Sequence, residues 1–285
     1  VSARPREIPL TWEVSPDASV VGYEVWRSVA GADDWTQIAR LNGRDVASYL
    51  DRGGEKDGTK LGRLADGTEY EYKVIAFNTA NVRSSASATV RAKTKVIPVP
   101  PAGIEVTTNV AESVRLTWKP NPEPDVNGYL VEVSKRPDDG FRKLTVVRIG
   151  GGAALLADDP DLAPNTIRYY RIQALDREGL VSQWSEVVRG RSKPVPDAPT
   201  GLALVPDGNT LRLVWQPPPQ EDVTQYKVWV KRMFGWDLIA TTLTPEYRLE
   251  PADLAKPPTL AVTAVDKDRL ESEKSVAVKA GAQAQ

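Results

Sequence analysis

The chain has 285 residues, with 37 lysines and arginines against 38 aspartates and glutamates, a net charge of −1, and neither cysteine nor histidine. Those absences remove disulfides, thiolate nucleophiles, Ser-His-Asp and Cys-His constellations, and almost every zinc site of known type. The interspersed charge leaves no electrostatic footprint for nucleic acid, and no apolar run reaches the ~18 residues of a membrane span.

In chain order the elements repeat. Leu10-Thr11-Trp12 is followed eleven residues after the Trp by Tyr23, Leu116-Thr117-Trp118 by Tyr129, and Leu213-Val214-Trp215 by Tyr226. A second eleven-residue interval follows each, from Ala76 to Ser87, Ala174 to Ser185 and Ala264 to Ser275. A period near one hundred residues means three copies of one domain, here residues 1–95, 96–192 and 193–285. Tyr23-Glu24-Val25-Trp26 alternates with period two, as do Tyr129 with Val131 and Tyr226 with Val228, and the runs Tyr70 to Ala76 and Tyr170 to Ala174 follow suit. Such alternation predicts half-buried strands. No helical period is sustained; the alanine-rich residues 153–157 are too short for one. The joints Ile97-Pro98-Val99-Pro100-Pro101 and Pro194-Val195-Pro196-Asp197-Ala198-Pro199 favour extended geometry and act as semi-rigid spacers. Gly103 and Gly201 precede Trp118 and Trp215 by about fifteen residues, in an expected first strand. Counting back equally from Trp12 passes the front of the chain. The expectation is that Val1 falls within a first strand and that the parent protein is longer there, with a lipid anchor as one form of what precedes.

These residues resemble tandem fibronectin type III domains over essentially the whole chain. The resemblance rests on Trp118-Lys119-Pro120 and Trp215-Gln216-Pro217, on Gly22-Tyr23 and Gly128-Tyr129, on the corner Leu64-Ala65-Asp66-Gly67-Thr68-Glu69-Tyr70, and on the serine that opens the last strand. An immunoglobulin domain would instead place its Trp beside a Cys pair. The second copy keeps Leu162-Ala163-Pro164-Asn165-Thr166 but has Arg168 at the corner tyrosine, and the third has Pro258 there with a shorter corner. The resemblance implies an all-β chain of three immunoglobulin-like β-sandwiches. The spelling of the first copy is more similar to bacterial extracytoplasmic members than to animal matrix ones.

Little else carries chemistry. Gly53-Gly54-Glu55-Lys56-Asp57-Gly58-Thr59-Lys60 comes within one swap of a phosphate loop, but the Lys must precede the Thr at a helix start; it reads as a flexible insertion. The carboxylate runs Asp33-Asp34, Asp138-Asp139, Asp158-Asp159-Pro160-Asp161 and Glu221-Asp222 read as solvated turns, since calcium needs six to eight converging oxygens. Trp12, Trp118 and Trp215 read as core. Trp35, Phe141 and Trp236 also align, each three residues before an aliphatic. Trp26 and Trp229 fall three residues after the strand-opening Tyr and so point to the outer face of their sheets. Trp26, Trp229, Phe234 and Trp236 are therefore the candidate partner-binding residues, with outward packing under Arg and Lys stems as the bland alternative. The loops Asn78-Thr79-Ala80-Asn81, Asp176-Arg177-Glu178-Gly179 and Asp266-Lys267-Asp268-Arg269 lack the Arg-Gly-Asp tripeptide of animal members.

The expectation is a non-catalytic chain with no cofactor and no catalytic or metal residue. It would serve as an extracytoplasmic interaction and spacer module, at the cell surface, outer-membrane-associated or secreted, docking a protein partner. A polysaccharide is the alternative partner, with the chain then an accessory module of a polysaccharide-degrading enzyme.

Overall fold

The computed structural model describes residues 3–56, 59–150, 154–249 and 258–279. In the first sandwich β1 (Ile8–Thr11) pairs with β4 (Ser48–Asp51), and the facing sheet runs β3 (Thr36–Asn42), β2 (Val20–Val29), β7 (Glu69–Asn78), β8 (Val90–Lys93). Strands β5 (Gly54–Lys56) and β6 (Thr59–Gly62) pair antiparallel where the sequence predicts a flexible insertion. In the second sandwich β9 (Glu105–Val106), β10 (Val114–Thr117) and β13 (Leu156–Asp159) form one sheet; β12 (Arg142–Arg148), β11 (Val126–Ser134), β14 (Ile167–Asp176) and β15 (Val188–Arg191) form the other. The third repeats this with β16 (Thr200–Asp207), β17 (Thr210–Gln216) and β20 (Glu246–Arg248) against β19 (Gly235–Thr242), β18 (Val223–Arg232), β21 (Thr259–Asp266) and β22 (Val278–Lys279). All strand pairings among the described residues are antiparallel. A smaller sheet, two-stranded in the first copy and three-stranded in the other two, faces a four-stranded one each time; this is the fold class the resemblance implies, and the chain is three such sandwiches in tandem. The corner of the third copy, residues 250–257, lies outside the described residues.

The first eleven-residue interval is a core contact. Trp118 and Tyr129, and Trp215 and Tyr226, meet edge to face with ring centroids 5.3 Å apart, and Trp12 and Tyr23 meet at 5.7 Å. Edge-to-face geometry adds to the large apolar area such rings bury. Around each pair pack alternate residues of both sheets, such as Val114, Leu116, Val131 and Ile172 in the second sandwich. The serine that ends the second interval is a brace, bonded two residues ahead of the alanine that begins it. The N–H groups of Val74, Ile172 and Val262 donate to the Oγ of Ser87, Ser185 and Ser275 at 2.9–3.0 Å, and each serine N–H donates back at 2.9 Å. The serine thus ties an irregular lead-in to the neighbouring strand three residues before the last strand begins, instead of opening that strand itself. This satisfies backbone donors that a ladder would otherwise pair.

One core expectation is corrected. Trp118 and Trp215 are 6% and 4% exposed, but Trp12 is only half-buried. The reason is the edge beside it: β10 and β17 are flanked by β9 and β16, whereas β1 pairs with β4 alone. Replacing Trp118 or Trp215 with Ala is expected to cost about 3–5 kcal/mol, and replacing Trp12 distinctly less. Denaturant titration of each variant, following the melting of its own sandwich, checks this order.

Candidate functional site

Three of the four candidate residues come together on the β18–β19 hairpin. Alternation places Tyr226, Val228 and Val230 in the core, so Lys227, Trp229 and Lys231 face outward. A bulge between Val228 and Trp229 resets the register, so that Trp229 lies opposite Leu238 and Lys231 opposite Trp236. Directly opposed side chains share a face; Trp229, Leu238 and Trp236 therefore form one outer apolar row. The row ends at a two-residue turn, Met233-Phe234, closed by Gly235 at φ 138°. That backbone is open to glycine alone among common residues. The turn has nothing to pack against: Met233 is 87% and Phe234 96% exposed, and Leu238 is 48% exposed.

The rings behind the tip are partly covered. The Trp229 indole N–H donates to Thr263 Oγ1 at 3.0 Å, and the Lys274 ammonium lies 4.3 Å from its ring centroid. Glu271 accepts from Lys227 at 2.6 Å and from Thr263 at 2.7 Å. Burial alone would raise the Glu271 carboxyl, yet these donors hold it below the usual glutamate value, and it remains ionised. The face thus offers apolar rings flanked by Lys231 and Lys274.

Trp26 stands apart. It is half-buried on the outer face of the first sandwich, where the wholly buried Glu24 accepts from Arg40 at 2.5 Å and from Arg83 at 2.9 and 3.0 Å. Arg40 also stacks 3.8 Å from the Phe77 ring centroid, and Lys73 lies 3.8 Å over Trp35. In the second sandwich Arg171 lies between Phe141 and Trp184 at 4.2 Å from each, held by Glu132. Cations close these two outer faces. The sequence reading missed Leu238 and Trp184. Leu238 had no local signal, because only the bulge brings it opposite Trp229. The carboxylate runs take structural partners: Asp33 accepts from Trp35 Nε1 at 2.8 Å, Asp139 pairs with Arg136, Asp158 with Arg115, and Asp159 accepts from the Tyr170 hydroxyl at 2.9 Å.

No family model matches the chain. Among curated proteins it is similar to protein sidekick-2 of Gallus gallus, 23% identical over 258 residues, covering 86% of this chain and 11% of that protein. It is also similar to receptor-type tyrosine-protein phosphatase F of Bos taurus, 26% identical over 229 residues (78% and 11%), and to neogenin of Homo sapiens, 23% identical over 232 residues (78% and 15%). The chain spans 11–15% of the length of these relatives, so a match this short brings none of the phosphatase chemistry with it. They are proteins containing fibronectin type III domains; being vertebrate, they carry nothing for the bacterial type that the spelling of the first copy resembles. The solved FN1-FN3 domains of chicken CNTN1 align over 98% of this chain and 95% of that one, with 16% identity and a TM-score of 0.35. No helix among the described residues is long and apolar enough to cross a membrane.

The Glu24 network makes the first sandwich sensitive to acid. Burial pushes this carboxyl up, but Arg83 and Arg40 outweigh it and hold Glu24 below the usual value. A lowered folded value contributes stability that is complete above the ordinary glutamate pKa of ~4.3 and is lost as pH falls through the folded value. Glu24→Gln is expected to lower the melting temperature of the first sandwich at pH 7 and to leave it nearly unchanged below the folded value. Thermal unfolding across pH 2–7 reads this directly.

Proposed function

We propose that this chain is a non-catalytic interaction and spacer module that works outside the cytoplasm and docks a protein partner within a surface assembly. The observation that carries this is the uncovered Met233-Phe234 tip at the end of the Trp229, Leu238 and Trp236 row. Burying a side chain of that size gains roughly 1.5–3 kcal/mol, and interface energy concentrates in a few aromatic anchors. The tip belongs to the last of three tandem sandwiches, an order that suits a spacer. The fitting partner is a protein with an apolar pocket for Phe234 and carboxylates at its rim to meet Lys231 and Lys274. Contact with more than one sandwich would add affinity by linkage.

The polysaccharide alternative is less well supported. Sugar binding calls for bare planar rings in line on one face, and here Trp26 lies in another sandwich while Lys274 covers Trp229. A pull-down from an extracytoplasmic fraction with the whole chain, with Phe234→Glu, and with each sandwich alone tests the proposal. The expected result is one protein retained by the whole chain and weakened about 30-fold or more by Phe234→Glu, the loss of one hot spot. Capture unaffected by the substitution, or retention of a glycan alone, would contradict it.

A further inference from the structure

Each of the two joints between sandwiches buries one ammonium. Two residues past β8, Lys95 reaches Asp125 at 2.5 Å, Asp176 at 2.7 Å, and Glu178. Two residues past β15, Lys193, which the period assigns to the third copy but which hydrogen-bonds through its backbone to Val110 and Asn165 of the second, reaches Asp222 at 2.6 Å, Asp266 at 2.6 Å and Asp268 at 2.5 Å. The lysine side chains are 17% and 11% exposed, and those of Asp176 and Asp266 are wholly buried. Within each trio the oxygens gather within 4.8 Å. Carboxylates so close repel unless a cation sits among them, and the lysine is that cation.

Both sides of the contact are held by their own sandwich. On the lysine side, Thr94 and Ser192 donate to the Ala65 and Ala163 carbonyls at 2.6 and 2.7 Å. The N–H groups of Gly67 and Asn165 donate to the carbonyls of Lys95 and Lys193. The fibronectin-like corner therefore aims the lysine. On the acidic side, Asp176 Oδ1 accepts from the Glu178 and Leu180 N–H groups at 2.9 and 2.7 Å, and Asp266 Oδ1 from those of Asp268 and Leu270, both at 2.9 Å. The second oxygen of each aspartate faces the lysine of the preceding sandwich.

The first sandwich supplies the internal comparison. The strand register aligns Asn78 with Asp176 and Asp266, opposite Val20, Val126 and Val223. Asn78 Oδ1 accepts from the Ala80 and Val82 N–H groups at 3.0 Å, the same loop closure made by a neutral amide. Its companions Ser19 and Ala80 carry no charge either. One oxygen thus suffices to build the loop, and the added charge of Asp176 and Asp266 meets nothing in its own sandwich.

We propose that each joint is a specific docking interface between successive sandwiches, in which a lysine of one fills an acidic socket on the next, and that this contact, not the proline segment alone, sets the angle between them. Domain motion about a linker is the default where the interface is small, and the buried charge contact removes that freedom at these two joints.

The absence of cysteine allows clean spin labelling of the whole chain at Asp34→Cys, Asp138→Cys and Glu273→Cys, one exposed site per sandwich. Pulsed electron resonance distances are then compared between the parent and Asp176→Asn, which keeps the loop closure that Asn78 already makes. The expected result is a narrow 34–138 distribution that becomes at least about twice as wide, with 138–273 unchanged; Asp266→Asn does the converse. Glu178→Gln and Asp268→Asn, at partly exposed members of the sockets, give the same direction should the buried substitutions perturb folding, which Trp118 and Trp215 fluorescence monitors. Unchanged distributions in folded variants would overturn the proposal.

Discussion

The arrangement of this molecule depends on one ammonium among three carboxylates, used twice. Proline segments favour extension but leave the angle and twist between neighbouring domains undetermined. A lysine aimed by the corner of its own sandwich and received by two loops of the next determines both. Burial alone would depress the lysines, but the surrounding carboxylates outweigh it and raise both above the ordinary lysine value, while Lys95 and Lys193 hold Asp125 and Asp222 below the usual aspartate range. Lys95 and Lys193, with Asp125 and Asp222, are therefore charged across the physiological range. Removing one partner of a buried pair typically costs about 3–5 kcal/mol, because the remaining charge is stranded. With few other charged contacts between sandwiches, that penalty falls on the geometry of the joint.

A fixed joint matters for the hairpin of the third sandwich. A tip such as Met233-Phe234 can bind by itself, but a spacer is useful only if the tip stands at a defined distance and direction from the rest. Covered outer faces on the first two sandwiches, where Arg40, Lys73 and Arg171 lie over aromatic rings, suit the same role. They leave Phe234, 96% exposed, as the one fully uncovered aromatic among the described residues.

Much of the fold was legible because it is periodic. The Trp-to-Tyr interval reports a core ring pair, the Ala-to-Ser interval reports a brace, and alternation assigned Trp26 and Trp229 to outer faces. The burial of Trp12 was misjudged because it depends on a neighbouring edge strand, which the period of its own strand does not encode. The joints were less visible still. Asp176-Arg177-Glu178 and Asp266-Lys267-Asp268 read as loops lacking a known tripeptide, and Lys95 stands 83 positions from Glu178. Their signal lay in comparing copies, where Asn78 gives way to Asp twice and a lysine follows the last strand of the preceding copy each time. Similarly, the bulge that pairs Trp229 with Leu238 cannot be counted from spacing alone.

Backbone nitrogen-15 relaxation of the whole chain measures most directly whether the joints unite the sandwiches. If they do, amides of all three fit one elongated rotational diffusion tensor, its long axis shared from β2 through β18. Three separate tensors, each with the correlation time of a lone sandwich, would contradict a fixed arrangement and leave the proline segments as free hinges.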